Sequence, residues 1–297
     1  MPAACKVSVR ARKGVYMEAL SCELSWDCVG QVARFQFFMN FVRYYPVAGL
    51  LFLVVWVWGK RRYIGSRIQQ KWPDSGKIWH EIRWSFVTLL VFSSIAIASI
   101  TMGKAGWNQV YLDFSEFGMG YAVFSLVAVT IWHETWFYWM HRLVHKKPWF
   151  KLVHLTHHRS TNPSPFAAYA FNGYEAFLEA IYLPLFTFIV PIHPAVILVH
   201  IGYAMIMNIW WHSGYEVFPA GWTRGRITQW INTSTHHNMH HSHFNGNFSL
   251  YFNFWDRICG TNFPNYDEYF EGVVARRRAS KLARPAAGME AMQRPAA

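Results

Sequence analysis

Fourteen of the fifteen histidines in this 297-residue chain lie between His133 and His243, and eight of them fall into three short boxes. The first is His141-Arg-Leu-Val-His145 and the second is His154-Leu-Thr-His157-His158. The third is His237-Asn-Met-His240-His241, with His236 directly before it. On an α-helix, residues four apart sit one above the other, and a residue three apart lies alongside. His141 and His145, His154 and His158, and His237 and His241 meet that spacing, as do His236 and His240. Each pair can place two imidazoles on one metal ion. A lone histidine is more often a hydrogen-bonded core or surface group, which is the expectation for His80, His193 and His200. Three boxes at ligand spacing call for metal. One ion rarely takes more than about four to six protein ligands, so eight imidazoles imply two ions. Imidazole suits zinc, copper, iron and nickel alike. Acids from His133 to Asp256 are few, namely Glu134, Glu175, Glu179, Glu216 and Asp256, and none forms a Glu-x-x-His. A histidine-dominated dimetal site is implied, unlike the carboxylate-bridged sites of soluble di-iron bundles.

The rest of the chain reads as a membrane scaffold. Hydrophobic residues make up 53% and aromatics 19%, more than a soluble domain needs, while charged residues are 15%. Apolar runs cover Phe41–Trp58, Trp84–Met102 and Gly118–Trp132. About eighteen helical residues roughly span a bilayer core. Phe177–Val190 and Ala195–Trp211 flank Pro191-Ile-His-Pro194 and suit a membrane hairpin. The expected fold is all-α: a transmembrane helix bundle of about three spans plus the hairpin, with a histidine-rich helical cap holding the dimetal site. The expected divisions are an N-terminal segment 1–40, spans 41–132, a histidine-box region 133–264 including the hairpin 176–211, and a basic disordered tail 265–297. The first 34 residues carry no continuous apolar run, which argues against a cleaved signal peptide. The net charge of +12 comes largely from the loop Lys60–Arg83 and the segment Arg276–Arg284. Basic loops mark the cytoplasmic side, so every box falls on the cytoplasmic face. No basic stretch accompanies a nucleic-acid motif, and no nucleic-acid partner is expected. The four cysteines form no Cys-x-x-Cys and are expected to be free.

Trp132–Pro264 resembles the fatty acid hydroxylase / sterol desaturase superfamily of integral-membrane non-haem di-iron oxygenases. The resemblance rests on Trp136-Phe-Tyr-Trp-Met-His-Arg142, the second box, Pro163-Ser-Pro-Phe-Ala-Ala168 and His212-Ser-Gly214. It continues through His236-His-Asn-Met-His-His241 and Phe254-Trp-Asp-Arg-Ile-Cys-Gly-Thr261. The context is closest to the sterol C5-desaturase branch. The resemblance implies two irons held by His141, His145, His154, His157, His158, His212, His237, His240 and His241, with His236 a further site residue. Many members carry histidine where this chain has Asn172, and fatty-acid hydroxylases one near Asn208. One metal would then have fewer nitrogen ligands, or His133 or His243 would substitute. Glu134 is either an interface acid or a partner to an imidazole N–H, and Asp256 and Arg257 are expected to be structural.

By the same resemblance, the reaction uses O2 and outside electrons to hydroxylate or desaturate a C–H bond of a membrane lipid, sterol-like before fatty-acid, sphingolipid or alkylglycerol. No Gly-x-Gly-x-x-Gly is present, so the electrons come from a cytochrome b5-like protein, or a ferredoxin, with its reductase. The basic loop and tail could dock an acidic donor or contact lipid. The setting is a bacterial inner membrane or the endoplasmic reticulum. The rivals are a histidine-rich metal transporter, which needs polar groups inside the spans, and a zinc-dependent lipid hydrolase.

Overall fold

A computed structural model describes residues 25–293, with side chains through Ala283. The expected N-terminal segment therefore lies outside the described residues up to position 24. Regular structure among the described residues is helical, and only isolated β-bridges occur beside it. Helix α1, Trp26–Phe52, starts where the Ser25 side chain accepts a hydrogen bond from Cys28 N, and it runs on through a π-helical stretch, Leu53–Trp58. Helix α2, Ser75–Lys104, starts on Asp74, which accepts from Lys77 N at 2.9 Å. Such caps satisfy amides that the first turn leaves without partners. Then follow α3, Gly118–Val144, and α4, Leu155–His158, which continues a π-helical turn over Phe150–His154. Next come α5, Gly173–Ala180, α6, Tyr182–Ile189, and α7, Pro194–Trp211. The chain closes with α8, Ser234–His243, α9, Phe254–Cys259, and α10, Tyr266–Gln293.

Three helical stretches are long and apolar enough to cross a membrane: Trp26–Trp58, Ser75–Lys104 and Pro194–Trp211. Helix α3, expected as the third span, is not among them. Its apolar half is followed at once by His133, Glu134, His141 and Arg142, which lowers its mean hydropathy. Of the expected hairpin only α7 qualifies, and the first arm divides into α5 and α6. Its tip is tied to the preceding loop, with Gln109 N donating to Thr187 O at 2.8 Å and Ile192 N to Gln109 O at 3.2 Å.

One packing seam joins Tyr44 and Ala48 of α1, Leu89 of α2, and Met205 and Ile209 of α7. A second joins Ala122 and Val129 of α3 to Tyr182, Phe186 and Val196. Within a bilayer such seams are held by close packing and interhelical hydrogen bonds, not by exclusion of water. Asn40 Nδ2 donates to Ser93 Oγ at 2.9 Å and Tyr45 OH donates to Ile82 O at 3.0 Å. At one end of the bundle, Trp56 Nε1 donates to Ser213 O at 2.8 Å and Lys77 Nζ to Thr161 Oγ1 at 3.2 Å. The C-terminal ends of α1, α3 and α7 and the N-terminal end of α2 thus meet there, and this is where the histidine boxes lie.

Three expectations need correction. The segment from 265 is not structureless: α10 buries Tyr266, Phe270 and Val274 against Met239. Its Arg276 donates to the carbonyls of Arg67 and Ile68, and Arg277 to those of Glu216 and Phe218. Every third or fourth residue at its start is apolar, which its basic composition masks. Part of the basic loop is likewise internal, because Arg67 is buried with its guanidinium 3.3 Å over the Trp72 ring. Cys259 is free but Cys28 is disulfide-bonded. Pairing depends on Cβ proximity, which spacing alone does not reveal.

Candidate metal centre

Each box sits at a helix end or on a short buried helix. His141 occupies the last turn of α3 and His145 caps it, while His212 caps α7. The third box lies on α8, which begins where Thr233 Oγ1 accepts from His236 N at 3.0 Å. Every residue of α8 from Ser234 to His241 is buried. A polar helix can be buried only if its groups are paired. Glu216 accepts from Thr235 N and Oγ1, and Gln69 Nε2 donates to Asn238 Oδ1 at 2.8 Å.

Nine histidines converge into two groups. His141, His145, His154, His158 and His240 form the first, and His157, His212, His237 and His241 the second. Within each group the candidate ligand atoms lie within 4.8 Å of one another. In the first group Nε2 atoms face each other at 3.0 Å (His141 and His154), 3.2 Å (His145 and His158) and 3.0 Å (His158 and His240). In the second, His212 Nε2 lies 2.9 Å from His237, 3.2 Å from His241 and 3.5 Å from His157. Metal–imidazole bonds of about 2.0–2.1 Å put neighbouring nitrogens about 2.9–3.4 Å apart. The residues present therefore fit two ions held by nitrogen.

The outer ring nitrogens are held as well. Nδ1 of His141 lies 2.8 Å from Phe248 O, that of His240 2.8 Å from Gly246 O and that of His241 2.9 Å from Ser160 O. His212 Nδ1 lies 2.8 Å from Asn208 O, and His154 Nδ1 lies 2.6 Å from the carboxylate of Glu175. Donation from Nδ1 leaves the Nε2 lone pair facing inward, the tautomer a metal needs. Burial and the neighbouring imidazoles hold His158, His237 and His241 well below the usual histidine range, and burial takes His212 down to about 4. These rings are neutral at pH 7, ready to bind metal without first losing a proton.

Helical geometry explains the sorting. Each i, i+4 pair shares a group: His141 with His145, His154 with His158, and His237 with His241. The residue three along, His157 or His240, crosses to the other group. His236 does not join either. Its Nε2 lies 3.3 Å from Asp256 Oδ2 and 3.2 Å from Asn262 Oδ1. It lies about 100° around α8 from His237 and one turn before His240, and there it meets the closing segment and not the metal groups. His133 and His243 do not substitute for missing ligands. His133 stacks on Tyr182 with its Nδ1 2.9 Å from Tyr251 OH, and His243 Nδ1 lies 3.1 Å from Met239 O. Asn172 caps α5 by accepting from Glu175 N, and Asn208 donates to Ala168 O.

The acids have distinct tasks. Glu134 touches no imidazole of either group, and instead accepts from the backbone amides of Leu250, Tyr251 and Phe252. Asp256 accepts from Phe248 N, Ser249 N and Thr261 Oγ1 and faces His236. Although burial raises its pKa, the His236 contact and these donors pull it well below the usual carboxylate range. Glu175 carries no local signal as the partner of His154, because 21 residues separate them.

An apolar cavity of about 420 Å³ adjoins the centre, between α1, α2 and the α5–α7 region. Its wall includes Phe171, whose ring lies 5.0 Å from that of His157, and Asn208, whose carbonyl holds His212. Its size suits a small-molecule ligand.

Residues 126–261 match the sequence profile of the family described as fatty acid hydroxylase. The chain is 31% identical to lathosterol oxidase of Homo sapiens over 199 residues, 66% of this chain and 64% of that protein. It is 24% identical to a Delta(7)-sterol 5(6)-desaturase of Gibberella zeae over 200 residues, 66% of this chain and 60% of that protein. To a Schizosaccharomyces pombe protein of the same description it is 29% identical, over 55% of this chain and 51% of that protein. The chain spans less than two thirds of the length of these curated relatives. No solved structure matches significantly.

Proposed function

From a chain that carries a fatty acid hydroxylase domain over residues 126–261, we propose an integral-membrane di-iron oxygenase that hydroxylates or desaturates a membrane lipid, with a sterol-like substrate. The observation that carries this reading is the placement of two buried imidazole groups beside a long apolar cavity. The names of the relatives, all sterol oxidases or desaturases, support the substrate class. When bound, two irons supply with O2 the one-electron oxidation that an unactivated C–H bond requires.

The protein's own residues do the rest. The nine imidazoles hold the metals, and the Phe248, Gly246, Ser160 and Asn208 carbonyls and Glu175 fix the rings that face them. Phe171 and the α7 wall position the substrate's reacting carbon against the centre. Burial of every ligand but the half-buried His145 keeps bulk water out. Hydroxylation and desaturation differ only in how the substrate lies, so this wall decides between them. Two outside electrons arrive from a cytochrome b5-like protein, or a ferredoxin, with its reductase. The exposed part of the 60–83 loop beside the centre supplies a docking face of the right sign. A centre on the cytoplasmic side is supported by the basic loop, since basic loops mark that side.

The test is metal content and O2 consumption of the purified, iron-loaded protein with a supplied donor and either lathosterol or a long-chain fatty acid. Two irons per chain and sterol-dependent O2 uptake are expected. Fatty-acid-dependent uptake alone would move the reading to a fatty-acid hydroxylase, and two metals with no O2 uptake would refute an oxygenase.

A further inference from the structure

A second cavity, of about 220 Å³, lies where α10 meets the turn that follows the first span. Arg62 borders it from the turn, and Arg277 and Lys281 border it from α10. One glycine brings the two elements together. A Cβ on Gly65 would lie 2.5 Å from Ser280 Cβ and 3.1 Å from Arg276 O, so α10 rests directly on the turn Ile64–Ser66 only because no side chain stands there. Arg276 fastens the contact by donating to the carbonyls of Arg67 and Ile68, both at 3.1 Å. Residues 277, 280 and 281 share one face of α10, and that face meets Arg62 across the cavity. Tyr63, Ser66 and Ser280 add hydroxyl groups to the wall, and no acidic side chain lines it among the described residues.

Like charges four apart on a helix repel, so Arg277 and Lys281 oppose folding unless an anion lies between them and Arg62. Arg277 donates to the carbonyls of Glu216 and Phe218, which occupy two of its donors without answering its charge. Neither Arg277 nor Lys281 has an ion pair among the described residues. The space equals the liquid volume of roughly seven waters, enough for a phosphate group with part of its hydration. The level in the bilayer narrows the source of that phosphate. The first span ends at Trp58, four residues before Arg62. Trp58 is 71% exposed, and Trp79, near the start of α2, is 63% exposed. Exposed tryptophans of this kind mark the membrane–water interface. Leu50, Leu53 and Val57 are also exposed on the first span, an apolar face that runs toward the same end.

We propose that this cavity binds the phosphate of an anionic glycerophospholipid from the adjacent leaflet. The phosphate oxygens accept from Arg62, Arg277 and Lys281 and from the wall hydroxyls, while the acyl chains lie against the exposed face of the first span. A phosphate monoester carries close to two charges and gains more from three cations than a diester does. Phosphatidic acid is therefore preferred to phosphatidylglycerol. Phosphatidylcholine also offers a phosphate, but its ammonium group brings a further cation beside the three. The site is separate from the metal centre, so this assignment and the oxygenase reading can fail independently.

The experiment is calorimetric titration of the purified full chain in detergent with dioctanoyl phosphatidic acid, phosphatidylglycerol and phosphatidylcholine, and with inorganic phosphate. Phosphatidic acid should bind as a single equivalent, about tenfold or more tightly than phosphatidylcholine, with phosphatidylglycerol between them. Arg62→Gln and Lys281→Gln remove exposed charges and should each weaken phosphatidic acid about fivefold, the attraction expected of one basic residue at an anionic lipid surface. Arg278→Gln removes a charge that is exposed on the same helix but borders no part of the cavity, and it should leave binding unchanged. Equal losses in all three variants would mean diffuse attraction to net charge and would overturn the site. Inorganic phosphate that displaces the lipid at equal concentration would make it a site for soluble phosphate and overturn the lipid source. Equal binding of phosphatidic acid and phosphatidylcholine also overturns the assignment. If an acidic cytochrome b5 then binds the wild-type chain but binds Arg62→Gln and Lys281→Gln more weakly, the cavity belongs to the electron donor.

Discussion

Replacing Glu175 tests whether one carboxylate sets the affinity of one metal without affecting the other. Its Oε1 lies 2.6 Å from His154 Nδ1, and both residues are fully buried. Its Oε2 has no hydrogen-bond partner, so Glu175→Leu breaks one contact only. Removing an outer partner of a ligating histidine typically lowers metal affinity about 10–100-fold, which is about 1.4–2.7 kcal/mol. Glu175→Gln keeps a neutral acceptor and should fall between Leu and wild type. The loss should be confined to the group of His141, His145, His154, His158 and His240, because the second group is braced by the Asn208 and Ser160 carbonyls. Titration with a competing chelator, read by metal analysis of the folded protein, should give one site weakened by that factor and one unchanged. Two sites weakened equally, or two unchanged, would refute the independent bracing of the two groups.

Three further outcomes follow from the geometry. His158 faces both His145 and His240, and His212 faces His157, His237 and His241. His158→Ala and His212→Ala should each abolish O2 uptake and drop the iron content from two to one, and loss of both irons in either would show that the groups are not separate. Glu134→Leu should leave metal content unchanged but cost about 2–5 kcal/mol, since it strands the buried amides of Leu250 and Tyr251. A denaturant midpoint in detergent equal to that of wild type would contradict this. Metal-free protein should lose stability as pH falls. Burial, with neighbouring imidazoles, depresses the folded pKa of His154, His157, His158, His237 and His241, while the unfolded chain returns to about 6.5. Unfolding then takes up protons, so the stability is complete above about pH 6.5 and declines below it. A flat unfolding midpoint between pH 7.5 and 5.5 would mean that these rings are not buried neutral.

The metal-binding spacing and most of the scaffold were legible along the chain. Spacing of four residues puts two imidazoles on one helix face whatever the helix packs against, so the i, i+4 pairs were legible without a fold. The long apolar stretches near residues 41–58, 84–102 and 195–211 were legible because a bilayer imposes a minimum length on a helix that crosses it. Other properties depended on which surfaces meet. Only the crossing of α3, α4, α7 and α8 sends His157 to one metal group and its neighbours His154 and His158 to the other. The same packing turns His236 toward Asp256, although its spacing from His240 matches that of the ligand pairs. It makes Glu175 a partner of His154 and points Glu179, one turn further on, into the cavity wall. It also orders a helix from Tyr266 that composition alone marked as a loose tail. Spacing along a helix fixes which side chains share a face, but the neighbour that each face meets is set by contacts between residues distant in the chain, and those exist only in the folded state.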